Sequence, residues 1–414
     1  MRALNNCLLI NSTFIKRFQV LKASQLLNMG TKKKRNNNVV AGMDQDELIM
    51  DPKLLADDDS CFCDFNGVEI HHKIQHPSAD EYELLSHPTM ILLHGFGASV
   101  LSWEQVMKPL AEVSGSKVIA FDRPAFGLTS RPISTSTSSS VKALNNYNPY
   151  SMAFSVLATL SFLDLVNTAG NAILVGHSAG AAVAVNAYFE APERVAALIL
   201  VSPAILAPLK AVTTPNIIIK QNLPIQHNYS ISKIPNSVLY KMSSKIVKFM
   251  AHALTPIMKE IIRSSRKFFY AILRSSLAIM LVRVLVDKFG TAVVRNSWYD
   301  PNQVTEHVLS AYKKPLMTKD WDRALLEYVA ALLLTEEEPK TKPSLRQRLN
   351  QISCPVLIVT GDSDPLVPSW NAERLSRIIA GSSLQVIKQC GHLPHEEKPH
   401  EFISVVENFL NTRL

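Results

Sequence analysis

Cysteine is scarce in this chain and shows no pairing pattern: Cys7, Cys61, Cys63, Cys354 and Cys390 are odd in number and scattered over 414 residues. That spacing excludes a disulfide framework, and no second pair lies near Cys61 and Cys63 to complete a zinc site. Free thiols in a reducing compartment are the expectation. Acidic residues are missing from the first 43 positions altogether. A long uninterrupted apolar run is missing too. The nearest to one, FFYAILRSSLAIMLVRVLV (Phe268 to Val286), carries Arg274 and Arg283 and central serines, which argue against a span facing lipid. A half-buried or interfacial helix fits it better.

What is there in abundance is apolar content, 47% against 19% charged residues, the balance of a globular chain rather than a disordered one. The formal charge of +8 is unevenly placed. Arg2, Lys16, Arg17, Lys22, Lys32, Lys33, Lys34 and Arg35 account for all of it, and with no acid before Asp44 they read as an organelle transit peptide over residues 1–43. Asparagines at 5, 6 and 11 interrupt every apolar run that a secretory signal would need. KKKR leaves a nuclear signal as the other reading, and FIKRFQVLK as a basic amphipathic helix leaves mitochondrial import open. Between Ile205 and Tyr299, 14 basic residues face only Glu260 and Asp287. No recognised nucleic-acid motif accompanies that segment, so no nucleic-acid partner is expected.

Turn signals divide the rest. Asn66-Gly67 inside DFNGVEIHHKI marks a hairpin. TMILLHG, SKVIAFD, AILVGHS, VAALILVS, PVLIVTGD and LQVIKQCGH follow as strands, the middle ones continuously apolar as strands buried on both faces must be. Helix-length segments separate them, which predicts an α/β fold with a doubly wound, mostly parallel sheet. RPISTSTSSS (131–140) reads as a polar surface connector. The interval 204–350 separates two core strands with helical material and reads as an inserted helical cap, dividing the core into 44–203 and 351–414.

Ligands of such sheets bind beyond the carboxyl ends of the strands, so the strand ends should hold the chemistry. ILVGHSAG ends a strand with Ser178 between Gly176 and Gly180, the spacing of a sharp strand-to-helix turn that lifts a nucleophilic hydroxyl above the sheet. LLHGFGAS offers a glycine-rich loop whose Phe96 N–H, together with the Ala179 N–H at the helix start, makes a two-donor oxyanion hole. His94 there reads as a brace for the loop, with a catalytic role as its alternative. GDSDPLVP supplies two acids, of which Asp364, in the turn beyond the strand, is better placed than Asp362 to reach a histidine. CGHLPHEEKP supplies His392, with His395 and His400 as less well placed alternatives.

HGFGAS, FDRPAFGLTS, GHSAG, GDSDPLVP and GHLPHEEKP, in one order from Asp64 onward, resemble the α/β-hydrolase superfamily. The resemblance implies a catalytic triad of Ser178, Asp364 and His392, with the Phe96 and Ala179 N–H groups holding the oxyanion, and neither cofactor nor metal. Ala125 and Ala181 depart from the superfamily's usual glycines and bear only on local loop shape. The implied function is a serine esterase acting on a lipophilic carboxylic ester. Carbon–carbon hydrolysis or perhydrolysis, or a non-catalytic receptor on the same scaffold, are the alternatives. The leader and large cap loosely resemble plant plastid hydrolases, including those acting on phytyl-type esters. Chloroplast localisation and a role in lipid metabolism are expected on that ground, and peripheral contact of the cap with anionic membrane is expected from its excess of basic residues beside long apolar helices.

Overall fold

Asn66 and Gly67 both take positive φ, 53° and 78°, the backbone that a two-residue hairpin turn demands. They join β2 (Ser60–Phe65) to β3 (Val68–Gln75), after a two-residue β1 (Leu21–Lys22). The other strands are β4 (Met90–Leu93), β5 (Val118–Phe121), β6 (Ala172–His177), β7 (Val195–Val201), β8 (Val356–Gly361) and β9 (Ser383–Ile387). The structure, a computed structural model, describes residues 21–22, 50–78, 87–133, 148–165, 171–207, 264–334 and 343–414. Apart from Leu21 and Lys22, the leader expected over 1–43 lies outside the described residues, as do most of the polar connector and the basic residues from Lys210 to Arg263.

The sheet order is β1-β2-β3-β5-β4-β6-β7-β8-β9, antiparallel as far as β5 and parallel from β5 onward. This is the expected mostly parallel α/β sheet opened by a hairpin. Alternation along the parallel strands explains their unbroken hydrophobicity. In β4, Ile91 and Leu93 face one core with Phe154 and Val183, while Met90 and Leu92 face the other with Trp103 and Phe402. The two layers that cover these faces include α1 (Glu104–Ser114), α2 (Met152–Leu165), α3 (Ala179–Glu190) and later α8 (Ser369–Ile378) and α9 (Pro399–Arg413). The last strand is shorter than the sequence suggests, because Gln389 turns at φ 48° and releases Cys390 to His392 as a loop.

Between β7 and β8 the described residues hold helices and no strand of the sheet: α4 (Ser264–Leu273), α5 (Ser276–Asn296), α6 (Glu306–Lys313) and α7 (Trp321–Leu334). The long apolar run is not one helix. Ser275 accepts from the Ala278 N–H as a new N-cap, and α4 and α5 meet at 56°. No single described helix is long and apolar enough to cross a membrane. Tyr328 of α7 packs on Ala125 and Phe126, and Trp298 and Val308 pack on Leu393, so these helices cover the loops at the carboxyl ends of the strands.

Asp122 fastens those loops to the sheet. Fully buried, it accepts from His71 Nδ1 at 2.7 Å and from the Val100 and Leu128 N–H groups, each at 2.7 Å. Burial alone would raise its pKa, but the neighbouring imidazole and these hydrogen bonds outweigh it and hold the carboxyl below its ordinary value. Removing the acid strands several buried donors, so Asp122→Ala is expected to cost about 3–5 kcal/mol in urea unfolding. A lowered folded pKa means the contribution is present above the unfolded value of about 4 and lost as pH falls through the folded one. A pH-independent difference between wild type and Asp122→Asn across that window would contradict this.

Candidate active site

The turn between β6 and α3 is possible only because two positions lack a side chain. A Cβ at Gly180 would lie 2.1 Å from the Leu93 carbonyl oxygen, and one at Gly176 would lie 2.5 Å from the Ala181 Cα. Ser178 between them sits at φ 51° and ψ −115°, a strained conformation for a residue with a Cβ. Its N–H is tied to the Val201 carbonyl at 2.9 Å, and its own carbonyl accepts from Ala181 and Ala204 at 3.1 Å each. Anchored to the end of β7 on one side and to the first turn of α3 on the other, the backbone leaves only the side chain to project. Ala179 is the first residue of α3, so its N–H has no intrahelical acceptor and lies at the positive end of the helix.

Asp364 and His392 meet as the sequence suggests. His392 Nδ1 lies 2.8 Å from Asp364 Oδ2, with both residues buried. The other carboxylate oxygen accepts from the Leu366 and Val367 N–H groups at 2.8 Å, which fixes the acid's orientation. Asp362 is turned elsewhere, accepting from the Ser363 hydroxyl at 2.9 Å and the Cys390 N–H at 3.4 Å. His395 is fully buried, stacked on Trp103 at 4.1 Å, and burial pushes it down to about 3. No hydrogen bond to a carboxylate orients it among the described residues, and His400 is exposed. Neither alternative histidine shares the Asp364 contact.

His177 joins the serine turn to the histidine loop. Its Nε2 lies 3.0 Å from the His392 carbonyl, and only an N–H can bond a carbonyl, so Nε2 carries the proton. Complete burial, with His395 and His392 nearby, keeps the ring neutral and well below its ordinary pKa. The oxyanion-loop candidate adjoins the same ring: a Cβ at Gly95 would stand 2.8 Å from His177 Nδ1 and 3.2 Å from Ser178 Cβ. The His392 N–H donates to Ser297 at 2.7 Å, so the end of α5 steadies the histidine loop. The Phe96 side chain is exposed over this site, against Phe126 at 5.5 Å and Tyr328 at 5.9 Å.

His94 is a brace. Its Nδ1 is engaged by the Gly95 carbonyl and its Nε2 by the Arg123 N–H at the end of β5, and burial, then the neighbouring Arg123, lower it to about 4. Ala125 takes φ 81°, so the alanine in FDRPAFG occupies a left-handed position that glycine would hold without strain. Sequence reasoning did not single out His177, Arg123 or Tyr328. The first two lie inside quoted motifs, but their contacts cross from one strand end to another. Among the described residues no group of three or more His, Cys, Asp or Glu is placed to hold a metal ion.

The pattern of the alpha/beta hydrolase family matches residues 90–405, and the chain belongs to that family. It is 35% identical over 112 residues to a 2-hydroxy-6-oxononadienedioate/2-hydroxy-6-oxononatrienedioate hydrolase of Klebsiella pneumoniae subsp. pneumoniae, a match spanning 27% of this chain and only 37% of that enzyme. A longer match, 21% identical over 345 residues, covers 83% of this chain and 95% of the uncharacterized hydrolase YugF of Bacillus subtilis. Among solved structures, a hydrolase from Pseudomonas aeruginosa PA01 shares the fold with a TM-score of 0.53 at 17% identity, covering 85% of this chain and 98% of that one.

The different settings of the two acids give a direct comparison. Asp364→Asn is expected to lower kcat about 10⁴-fold, because an amide no longer favours the productive imidazole tautomer. Asp362→Asn should leave kcat close to wild type. Steady-state kinetics on one ester substrate checks both, and a larger loss in the Asp362 variant would reverse the assignment.

Proposed function

We propose that the protein is a serine hydrolase that cleaves a lipophilic carboxylic ester through an acyl-enzyme on Ser178. The observation that carries this reading is the Asp364–His392 contact at 2.8 Å, linked through His177 to the strained turn that presents Ser178. In the proposed sequence, Ser178 Oγ attacks the ester carbonyl carbon and His392 Nε2 takes its proton. The developing oxyanion is held by the Phe96 and Ala179 N–H groups. The intermediate then collapses, the C–O bond to the alcohol breaks, and His392 returns the proton to the leaving alkoxide. Water, deprotonated by the same imidazole, repeats the attack and frees the acid. Asp364 holds the ring and stabilises its charged form throughout.

The lipophilic part of the proposal rests on the helices over the site. Phe268, Phe269, Leu277, Met280, Leu281, Leu285 and Phe289 are each at least half exposed, a larger apolar surface than scattered exposure gives. Among the described basic residues of this segment, Arg274, Arg283 and Arg295 pair with Glu327, Asp322 and Glu306, while those from Lys210 to Arg263 lie outside the described residues. Contact of this surface with lipid would combine burial of these apolar side chains with attraction of the segment's other basic residues to anionic headgroups. Ser178→Ala protein is expected to sediment with anionic liposomes more than with neutral ones, and less so at high salt. Binding to neither would favour a small soluble ester.

The Klebsiella relative favours a second reading, carbon–carbon hydrolysis by the same residues. Pre-steady-state kinetics separates the two. With a p-nitrophenyl ester, a burst of one nitrophenol per protein followed by slower turnover is expected, and Ser178→Ala should lower kcat about 10⁶-fold. No burst and no aryl-ester turnover, with hydrolysis of a 2-hydroxy-6-oxo dienoate instead, would replace the ester reading.

A further inference from the structure

Arg123 follows Asp122 at the end of β5, is almost wholly buried, and forms its hydrogen bonds with His94 and Gly95 rather than with Asp364 or His392. It points at the loop that carries Phe96. Its Nη2 donates to the carbonyls of His94 at 3.0 Å and Gly95 at 3.3 Å, and its backbone N–H donates to His94 Nε2 at 3.0 Å. With Nε2 an acceptor, the neutral ring must carry its proton on Nδ1, which it gives to the Gly95 carbonyl at 2.8 Å. One carbonyl is thus held by two donors from one side. A trans peptide is planar with its C=O and N–H opposed, and the described backbone contains no cis bond. Holding the Gly95 carbonyl toward Arg123 and His94 therefore turns the Phe96 N–H the other way, in a loop whose Gly95 borders Ser178 Cβ.

We infer that Arg123 and His94 are positioning residues that set the Gly95–Phe96 peptide so that its N–H serves the oxyanion. A buried carbonyl without a donor is costly, so losing the guanidinium frees this peptide to rotate. A rotated peptide would present a carbonyl where the hole needs a donor. The guanidinium is itself held by the rings of Phe126 and Tyr328, at 5.4 and 5.8 Å, and Tyr328 belongs to α7 of the cap. The inference rests on the proposed serine hydrolase chemistry.

The test compares wild type with Arg123→Met, Arg123→Lys and His94→Phe, using p-nitrophenyl butyrate and two inhibitors of equal chain length. One is a trifluoromethyl ketone, which forms a tetrahedral adduct; the other is the plain methyl ketone, which binds without one. Arg123→Met and His94→Phe are expected to lose about 10²-fold in kcat and in trifluoromethyl ketone affinity, with KM and methyl ketone affinity little changed. Arg123→Lys keeps a donor but not two-carbonyl reach, and should recover part of both losses. Circular dichroism identifies any variant that fails to fold, in which case Arg123→Lys carries the comparison alone. Folded variants with wild-type kcat and trifluoromethyl ketone affinity, or with equal loss of both inhibitors, would overturn the inference. Ser178→Ala separates the two levels: its inactivity beside normal Arg123 variants refutes the positioning role alone, whereas its retained turnover refutes the hydrolase reading beneath it.

Discussion

A serine can stand at the tip of a strand-to-helix turn only where neighbouring backbone comes closer than a Cβ would allow. Gly180 against the Leu93 carbonyl is that constraint here, and the rest of the site follows from it. Close approach brings the end of β6 against the end of β4, which puts Gly95 beside Ser178. Gly391 repeats the device at the last strand, pressed against the Ser297 carbonyl, so the histidine loop is seated on the end of α5. Gly180 thus lets the loops after β4 and β6 meet, Gly391 seats the histidine loop on the end of α5, and the His177–His392 hydrogen bond joins the two.

Burial then decides which groups can carry charge. Desolvation keeps His94, His177 and His395 neutral, so each serves as a fixed dipole or a packing surface. His392 differs because a carboxylate faces its Nδ1, and that carboxylate is itself oriented by two backbone N–H groups. Of the four buried histidines around this site, the one hydrogen-bonded to a carboxylate is the one suited to accept and return a proton.

Much of this was legible from residues alone. Strands buried on both faces must be apolar throughout, and Ile91 and Leu93 against Met90 and Leu92 show why the runs were unbroken. Asn66-Gly67 announced its hairpin because few other pairs tolerate positive φ twice. Asp364 was separable from Asp362 by its place in the turn. The less legible features depend on distance in space. Arg274, Arg283 and Arg295 of the basic segment looked unpaired because their acids, Glu327, Asp322 and Glu306, lie beyond the window that defined it. The break at Ser275 was hidden because serine is unremarkable in an apolar run until its hydroxyl caps a new helix. Arg123 and Tyr328 gave no signal because their contacts join β5, the Phe96 loop and α7, segments the sequence keeps apart.

The account depends on Ser178 being a nucleophile activated by His392. Reaction of the protein with a fluorophosphonate, followed by digestion and mass spectrometry, tests that most directly. A single phosphonyl adduct on the peptide containing Ser178, formed rapidly in wild type and very slowly in His392→Ala, is the predicted result. An adduct on another residue, or equal labelling in both proteins, would contradict it.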